Sequence, residues 1–381
     1  MRQPTLLFLL TIALGYVPRK TQTAAGDQLK QDAIEQLCGF SLKAKKAAAR
    51  VEKKLSNVKK RISSLVLTSK RLQTFGVKNP HWAEAAFILE MHFDKLRDAT
   101  LGELATKVGA AIKFSAQAAY AAGRIDETAT MFVNAKATNP GTALCVTTGT
   151  ANTPIVAGKD NGCKTTDLTK QTADDSDLTS AAIKFKTTTT IVSSAATTCK
   201  LTQAVNTGFG STGADFELLG GLIKIASAGG FPTNNYGKNA DDVPFLQPIT
   251  KNGANTDTYL EASENLEAET AETIKNMLNK ETAAETLAAA INAFYQYETP
   301  KTPEQLKPIV KNLFKVAAIG GEVGFAKALE GDKEAVKPKG SEELEKTMAL
   351  TSEQLTREEV HALKALYQKT SKKAPDCSKE L

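Results

Sequence analysis

The chain has 381 residues, of which 41% are hydrophobic, 24% are charged and only 6% are aromatic, and its formal net charge is +6. This scarcity of aromatic residues argues against a large globular core and favours a helical bundle rich in Ala, Leu and Lys. The modest charge does not indicate a nucleic-acid partner. The only three histidines, His81, His92 and His361, argue against a histidine-based metal site or catalytic centre. We therefore expect a structural or interaction protein without a cofactor.

The N-terminus has the pattern of a secretory signal peptide. Arg2 precedes an apolar run from Leu6 to Val17, and small residues follow up to Ala25. The run is too short to cross a bilayer as a helix. A buried core helix is the alternative, but the run begins close to Met1 and ends in small residues. We predict a signal peptide at 1–25 and entry into the secretory pathway.

Secretion changes the meaning of the cysteines, because disulfides are the default in an oxidising compartment. The first four, Cys38, Cys145, Cys163 and Cys199, predict two disulfides, and the residues alone leave all three pairings open. Cys377 is the odd one. It is either a free or intermolecular thiol or the first cysteine of a further disulfide-bearing segment.

The first long segment has the pattern of a coiled coil. No proline occurs between Pro18 and Pro80, and residues spaced alternately three and four apart form an apolar seam interrupted only by two serines. The seam comprises Ile34, Leu37, Ser41, Ala44, Ala48, Val51, Leu55, Val58, Ile62, Leu65, Ser69 and Leu72. We predict one helix over about 27–75.

A second long helix is predicted over about 80–135. Gly76 is expected to follow the C-terminus of the first helix, and Pro80 to lie in the first turn of the second. A short break between two long helices makes an antiparallel hairpin. At about 1.5 Å per residue, each helix would extend roughly 75–80 Å.

Between Lys43 and Arg71 the first helix carries eleven Lys or Arg residues and one acid, Glu52. One interpretation is a face that binds nucleic acid or an anionic membrane. The other is a solvated face whose charges balance acidic residues elsewhere in the bundle. A secreted chain favours this second interpretation.

The remainder of the chain is predicted as a loop-rich insert at 140–258, a helical C-terminal third at 259–370 and a tail at 371–381. In the C-terminal third we expect helices near 259–279, 282–297, 302–319, 341–350 and 352–369. The predicted fold class is mainly α: a long antiparallel coiled-coil hairpin within an elongated helical bundle, with a loop-rich, disulfide-tied head containing little β structure.

The chain has no motif that carries a known chemistry. It lacks a nucleophile elbow, a zinc-protease helix motif, a phosphate loop and a dinucleotide fingerprint. Its acidic residues lie on predicted helix surfaces. We therefore expect no enzymatic activity and no catalytic or metal-binding residues.

Several features together resemble a known family. These are the signal peptide, Leu37-Cys38 early in the first helix, the run from Ala119 to Glu127 (Ala-Tyr-Ala-Ala-Gly-Arg-Ile-Asp-Glu), and an insert with Cys145, Gly162-Cys163-Lys164 and Thr198-Cys199-Lys200-Leu201. Their order resembles the N-terminal domain of the class A variant surface glycoproteins of trypanosomes, over nearly the whole mature chain from 26 to 370.

The resemblance implies disulfides Cys38–Cys163 and Cys145–Cys199 and a homodimer whose long helices stand upright on the cell surface. It implies a surface coat glycoprotein on the external face of the cell membrane, which serves antigenic variation and evasion of host immunity and is recognised by host antibodies. The alternative is a receptor or serum-resistance protein on the same scaffold that binds a host serum protein.

The end of the sequence differs from the family pattern. Family members continue into small cysteine-rich C-terminal domains and a signal for a GPI anchor, whereas this sequence ends shortly after Cys377. The membrane contact implied by the resemblance is thus a GPI anchor that this chain does not encode.

Overall fold

The structure is a computed structural model. It describes residues 26–135, 144–148, 153–173, 178, 183, 192–193, 199–203, 214–231, 237–251, 266–280, 284–318, 320–335 and 343–371. The predicted signal peptide, residues 372–381 of the predicted tail and Cys377 lie outside these ranges.

The chain divides into two compact units. Unit 1 comprises Met1–Arg50 and Ile112–Asp257, and unit 2 comprises Val51–Ala111 and Thr258–Leu381. The described helices and strands, in chain order, are β1 (Gln28–Lys30), α1 (Gln31–Lys45), α2 (Ala47–Lys78), α3 (Ala83–Asn134), β2 (Val146–Thr147), α4 (Asn161–Lys164), β3 (Val192–Ser193), β4 (Phe216–Leu218), β5 (Ile223–Ile225), α5 (Gln247–Thr250), α6 (Ala271–Leu278), α7 (Glu285–Tyr295), α8 (Pro303–Phe314), α9 (Gly324–Gly331) and α10 (Ser352–Ser371).

Unit 1 combines a helix pair with two small sheets. Helix α1 packs against the C-terminal part of α3, and β1 lies between β2, with which it is parallel, and β3, with which it is antiparallel. Strands β4 and β5 form a separate hairpin. The buried core includes Ile34, Leu37, Phe40, Ala118, Ala122, Ile125, Phe132, Leu222, Val243 and Leu246.

Unit 2 is built on the C-terminal part of α2 and the N-terminal part of α3. The chain reverses within the few residues between Lys78 and Ala83, so the two helices are antiparallel, and Ser69 Oγ donates a hydrogen bond to Asp94 Oδ1 across the pair (3.0 Å). Helices α6 to α9 contribute to the same core, which includes Leu65, Leu72, Phe75, Ile88, Leu89, Phe93, Ile274, Ile291, Leu306, Phe314, Phe325 and Leu329.

The first long helix differs from the prediction at its start and near its middle. Residues 28–30 form strand β1, because their backbone groups pair with β2 and β3, which lie far away in sequence. A turn at Lys46 then separates α1 from α2, and Arg50 Nη2 donates to the carbonyl of Lys43 beside this turn (3.2 Å). The turn shifts the inward face by one residue, so that Ala47 is buried and Ala48 is exposed.

The break between the long helices also differs from the prediction. Gly76 is not the residue after the helix but lies inside α2, buried, where an added Cβ would come within 3.0 Å of Ala86 Cβ. A glycine here allows α2 and α3 to approach closely. Asn79 ends the helix instead, and Pro80 begins a 3-10 turn before α3.

The C-terminal third is helical, as predicted, but its helices have other boundaries. Where a helix was predicted over 341–350, the described residues form an isolated bridge between Lys333 and Lys346 and a 3-10 turn at Thr347–Ala349. Helix α9 is not among the predicted helices, and it begins at Gly324, shortly after Gly320 and Gly321. The mainly helical class, with few strands and two disulfides, is confirmed. Within the described ranges, no helix is long and apolar enough to cross a membrane.

Candidate functional site in the disulfide-tied unit

Two buried disulfides tie unit 1 together. Cys38 on α1 is bonded to Cys163 on α4 (S–S 2.07 Å), and Cys145 beside β2 is bonded to Cys199 (S–S 2.01 Å). This is the pairing that the family resemblance implies. The four cysteines are at most 6% exposed, so the bonds lie within the core of the unit.

Two glycines allow the chain to approach the disulfides closely. An added Cβ on Gly162 would lie 2.1 Å from the carbonyl oxygen of Cys38, and one on Gly26 would lie 2.0 Å from that of Cys199. Such distances leave no room for a side chain. The glycine of the Gly-Cys-Lys sequence at 162–164 is therefore required sterically, because it lets α4 lie directly on α1.

An ion pair inside unit 1 joins α1 to α3. Lys45 Nζ lies 2.6 Å from Asp126 Oδ2 and also donates to the carbonyl of Gly162 at 2.8 Å. Ser41 donates from its hydroxyl to the other oxygen of Asp126. Burial raises the pKa of Asp126, although the hydrogen bonds from Lys45 and Ser41 lower it. The pair thus connects α1 and α3 with α4, the helix that carries Cys163.

The segment before β1 is held by a carboxylate and a tight turn. Asp27 accepts a hydrogen bond from the backbone N–H of Phe231 at 3.0 Å. Gly230 has φ +74°, and a Cβ at this position would meet Asp27 Oδ2 at 2.3 Å. Thr202 donates from its hydroxyl to the carbonyl of Asp27 at 2.6 Å. The segment before β1 is therefore fixed to the insert.

The predicted seam residues differ in burial. Ile34, Leu37, Val58, Leu65 and Leu72 are at most 5% exposed. Val51, Leu55 and Ile62 of the same seam are half-buried. Burial of the seam is therefore tightest in α1 and in the last turns of α2.

Several basic residues of the first helices serve internal contacts. Arg61 Nη1 lies 3.2 Å from Glu269 Oε1. Arg71 donates to the carbonyl of Leu350, and burial lowers its pKa. Both contacts lie within unit 2. They support the interpretation that the positive charges of the first helix pair with groups of the protein itself.

The described residues contain no cluster of three or more His, Cys, Asp or Glu side chains that could hold a metal ion. His92 is 2% exposed, and its pKa is lowered to about 4, mainly by burial. His81 packs edge-on against Trp82. His92 is thus a residue packed within the fold, whereas His81 is exposed.

The sequence pattern did not predict the contacts that Asp126 and Arg124 make within unit 1. Asp126 belongs to the run that carries the family resemblance, and its position beside the apolar Ile125 is a signal that could have indicated an inward-facing charge. Arg124 lies in the same run. Its guanidinium carbon lies 4.5 Å from the ring centroid of Phe245, a contact between residues so far apart in the chain that no local pattern predicts it.

The fold and the disulfide-tied unit define a mainly helical protein built for structure or binding. Comparison with known proteins identifies the class more closely. A family model described as trypanosome variant surface glycoprotein (A-type) matches residues 8–318. The chain is 27% identical over 316 residues to variant surface glycoprotein ANTAT 1.1C of Trypanosoma brucei brucei, which covers 81% of this chain and 64% of that protein. The chain therefore spans less than two thirds of the length of this curated relative.

The structure also resembles a solved structure of MITat 1.1, with a TM-score of 0.67 over 92% of this chain and 100% of that chain, at 17% identity. This likeness concerns the fold alone. Because the family model matches most of the sequence, the chain belongs to the A-type variant surface glycoprotein family of trypanosomes. The family resemblance seen in the sequence is thereby confirmed, and the family is one of surface coat proteins rather than enzymes.

Proposed function

We propose that the chain is the N-terminal part of a trypanosome surface coat glycoprotein, which forms a dense protective layer for antigenic variation and evasion of host immunity. The observation that carries this proposal is the match of the A-type family model to residues 8–318. The curated relative, which is longer than this chain, is itself named a variant surface glycoprotein.

The physical role in this proposal is steric exclusion. Helix α3 alone contains 52 residues, and at about 1.5 Å per residue it would be about 78 Å long. Closely spaced helices of this length would keep antibodies away from the membrane. The fold needs only its buried seam, glycine contacts and disulfides, so exposed loop residues are free to change without loss of the scaffold.

The proposal includes a homodimer on the external face of the cell membrane. Attachment would be through a GPI anchor, and host antibodies would be the molecules that recognise the exposed loops.

Surface abundance is the decisive test. The natural protein is labelled on living cells with a membrane-impermeant biotin reagent, and its share of total surface protein is measured by quantitative mass spectrometry. A coat protein is expected to be the most abundant surface species. A minor surface share, together with recovery of one stoichiometric host serum protein on the purified chain, would overturn the coat function and favour the receptor alternative.

A further inference from the structure

In the run from Ala119 to Glu127, the residues on the outward side of α3 do not contribute to the core of unit 1. The inward residues of this run are accounted for, because Ala121, Ala122 and Ile125 lie in the core and Asp126 holds Lys45. On the opposite side of the helix, Tyr120 is 54% exposed, and Gly123, Arg124 and Glu127 are also exposed.

The guanidinium of Arg124 is held in a defined orientation. Its central carbon lies 4.5 Å from the ring centroid of Phe245 and 5.7 Å from that of Tyr120. One Nη1–H donates to the hydroxyl of Tyr120 at 3.1 Å. Phe245 is itself fixed, since it is only 6% exposed and its carbonyl accepts a hydrogen bond from Gln117. The planar donor group is therefore ordered before any ligand arrives.

Arg124 lies in the wall of an open cleft of about 670 Å³ within unit 1. Small residues of α3, Ala119 and Gly123, form one part of the cleft, and Leu218, Leu219 and Gly220 form the opposite part. An arginine and a tyrosine beside an apolar depression are the residue types that dominate binding energy at protein interfaces.

The charges at the cleft favour a single negative charge. In the part of the chain that the structure describes, Arg124 forms no ion pair with a carboxylate. Glu217 is paired with Lys238 at 2.9 Å, so its charge is compensated. Glu127 lies exposed on the rim. Glu127 would repel a doubly charged phosphate more strongly than it would repel a single carboxylate.

We infer that this cleft docks an acidic side chain of a protein partner, an Asp or Glu beside an apolar residue. The carboxylate would accept two parallel hydrogen bonds from Arg124, and the apolar neighbour would cover Leu218 and Tyr120. This surface does not depend on whether the molecule serves as a coat or as a receptor, so it goes beyond the function proposed above.

The test uses two short peptides that differ in one charge, acetyl-Phe-Glu-Leu-amide and acetyl-Phe-Gln-Leu-amide. Arginine-labelled chain is titrated with each peptide, and the side-chain Nε–H signal of Arg124 is followed by NMR. We expect saturable shifts with the Glu peptide and at least about tenfold weaker binding of the Gln peptide. The peptide comparison on the unmodified chain does not depend on a variant that folds.

Variants locate the contact. Arg124→Gln and Arg124→Lys are each expected to weaken binding at least about tenfold, because both lose the planar pair of donors. Glu127→Gln is expected to strengthen it. Arg97→Gln is the matched control, since Arg97 lies on the same helix but already contacts Asp94 and Asp98 at 2.8 and 2.9 Å, and it is expected to leave binding unchanged.

Four results would overturn the inference. These are equal binding of both peptides, the absence of a saturable shift at about 10 mM peptide, tighter binding of inorganic phosphate than of the Glu peptide, and self-association of the chain that Arg124→Gln abolishes. The last result would make a second copy of the chain the occupant.

Discussion

Lys45 Nζ and Asp126 Oδ2 lie 2.6 Å apart, and the side chains of these residues are only 4% and 19% exposed. Their contact connects α1 to α3 at the position where α4 lies on α1. A buried charge that loses its partner costs much more than an exposed one, because water no longer solvates it. The ion pair is therefore a sensitive point of unit 1.

Lys45→Met is expected to lower the free energy of unfolding by about 3–5 kcal/mol. The loss should be smaller in acid, because burial raises the pKa of Asp126 and removal of Lys45 raises it further, so that the carboxyl becomes neutral more easily. Urea unfolding followed by circular dichroism measures the change.

Lys107→Met is the matched control for this prediction. Lys107 also contacts a carboxylate, Glu103, at 2.6 Å, but the two side chains are 38% and 63% exposed. We expect a loss of no more than about 0.5 kcal/mol. Equal effects of the two substitutions would contradict the buried role of Lys45, and Asp126→Asn added to Lys45→Met should recover part of the loss.

Gly162→Ala is expected to destabilise unit 1 by about 1–3 kcal/mol, because the new methyl group would overlap the carbonyl of Cys38. Gly102→Ala is the control. Gly102 lies on α3 with no atom within 4 Å of an added Cβ, so alanine should stabilise the helix by up to about 1 kcal/mol. Thermal unfolding of both variants measures the difference, and a neutral Gly162→Ala would show that α4 can move away from α1.

The two disulfides are expected to differ in their contribution to stability. They join residues separated by 125 and 54 positions, and in the chain-entropy model the longer loop stabilises by about 0.7 kcal/mol more. Replacing Cys38 and Cys163 by alanine should therefore cost more than replacing Cys145 and Cys199. Denaturant unfolding of the two double variants tests the order. Peptide mapping without reduction that linked Cys38 to Cys145 would contradict the pairing itself.

The helical part of the fold was accessible from the sequence because its signals are local. The proline-free segments and the three-to-four spacing predict two long antiparallel helices, and Leu65 and Leu72 are buried as the spacing indicates. The strand at Gln28–Lys30 was not accessible, since its partners begin at Val146 and Val192. Neither was the turn at Lys46, because neither glycine nor proline occurs there.

The candidate site was less predictable than the fold for the same reason. The cysteines indicated two disulfides, but the contact of Gly162 with Cys38 and the packing of Arg124 on Phe245 each bring together distant parts of the chain. Gly76 shows a related difficulty. A glycine near the end of a helical pattern can either follow the helix C-terminus or allow close contact with another helix. The sequence is compatible with both, and only the position of Ala86 in the structure shows that Gly76 makes a close helix contact.

Glu90 is expected to make the stability of unit 2 dependent on pH. Its pKa is raised to about 7, mainly by burial and further by the negative charges of Asp94 and Glu359. The folded state therefore holds the proton of Glu90 more tightly than the unfolded state does. Because the raised pKa belongs to a carboxyl group, this residue lowers stability as the pH rises from about 4.5 to about 7.

Glu90→Gln removes the charge and keeps the shape of the side chain. We expect it to raise the free energy of unfolding at pH 8 by about 1 kcal/mol, a value reduced for the partial exposure of the group, and to have little effect at pH 4.5. Glu103→Gln, at an exposed position on the same helix, should show no such rise between the two pH values. Urea unfolding at both pH values measures the free energy of unfolding of each variant. If Glu90→Gln has the same pH dependence as the unmodified chain, the prediction is wrong. Glu90 would then remain ionised in the folded protein because solvent or a nearby cation compensates its charge.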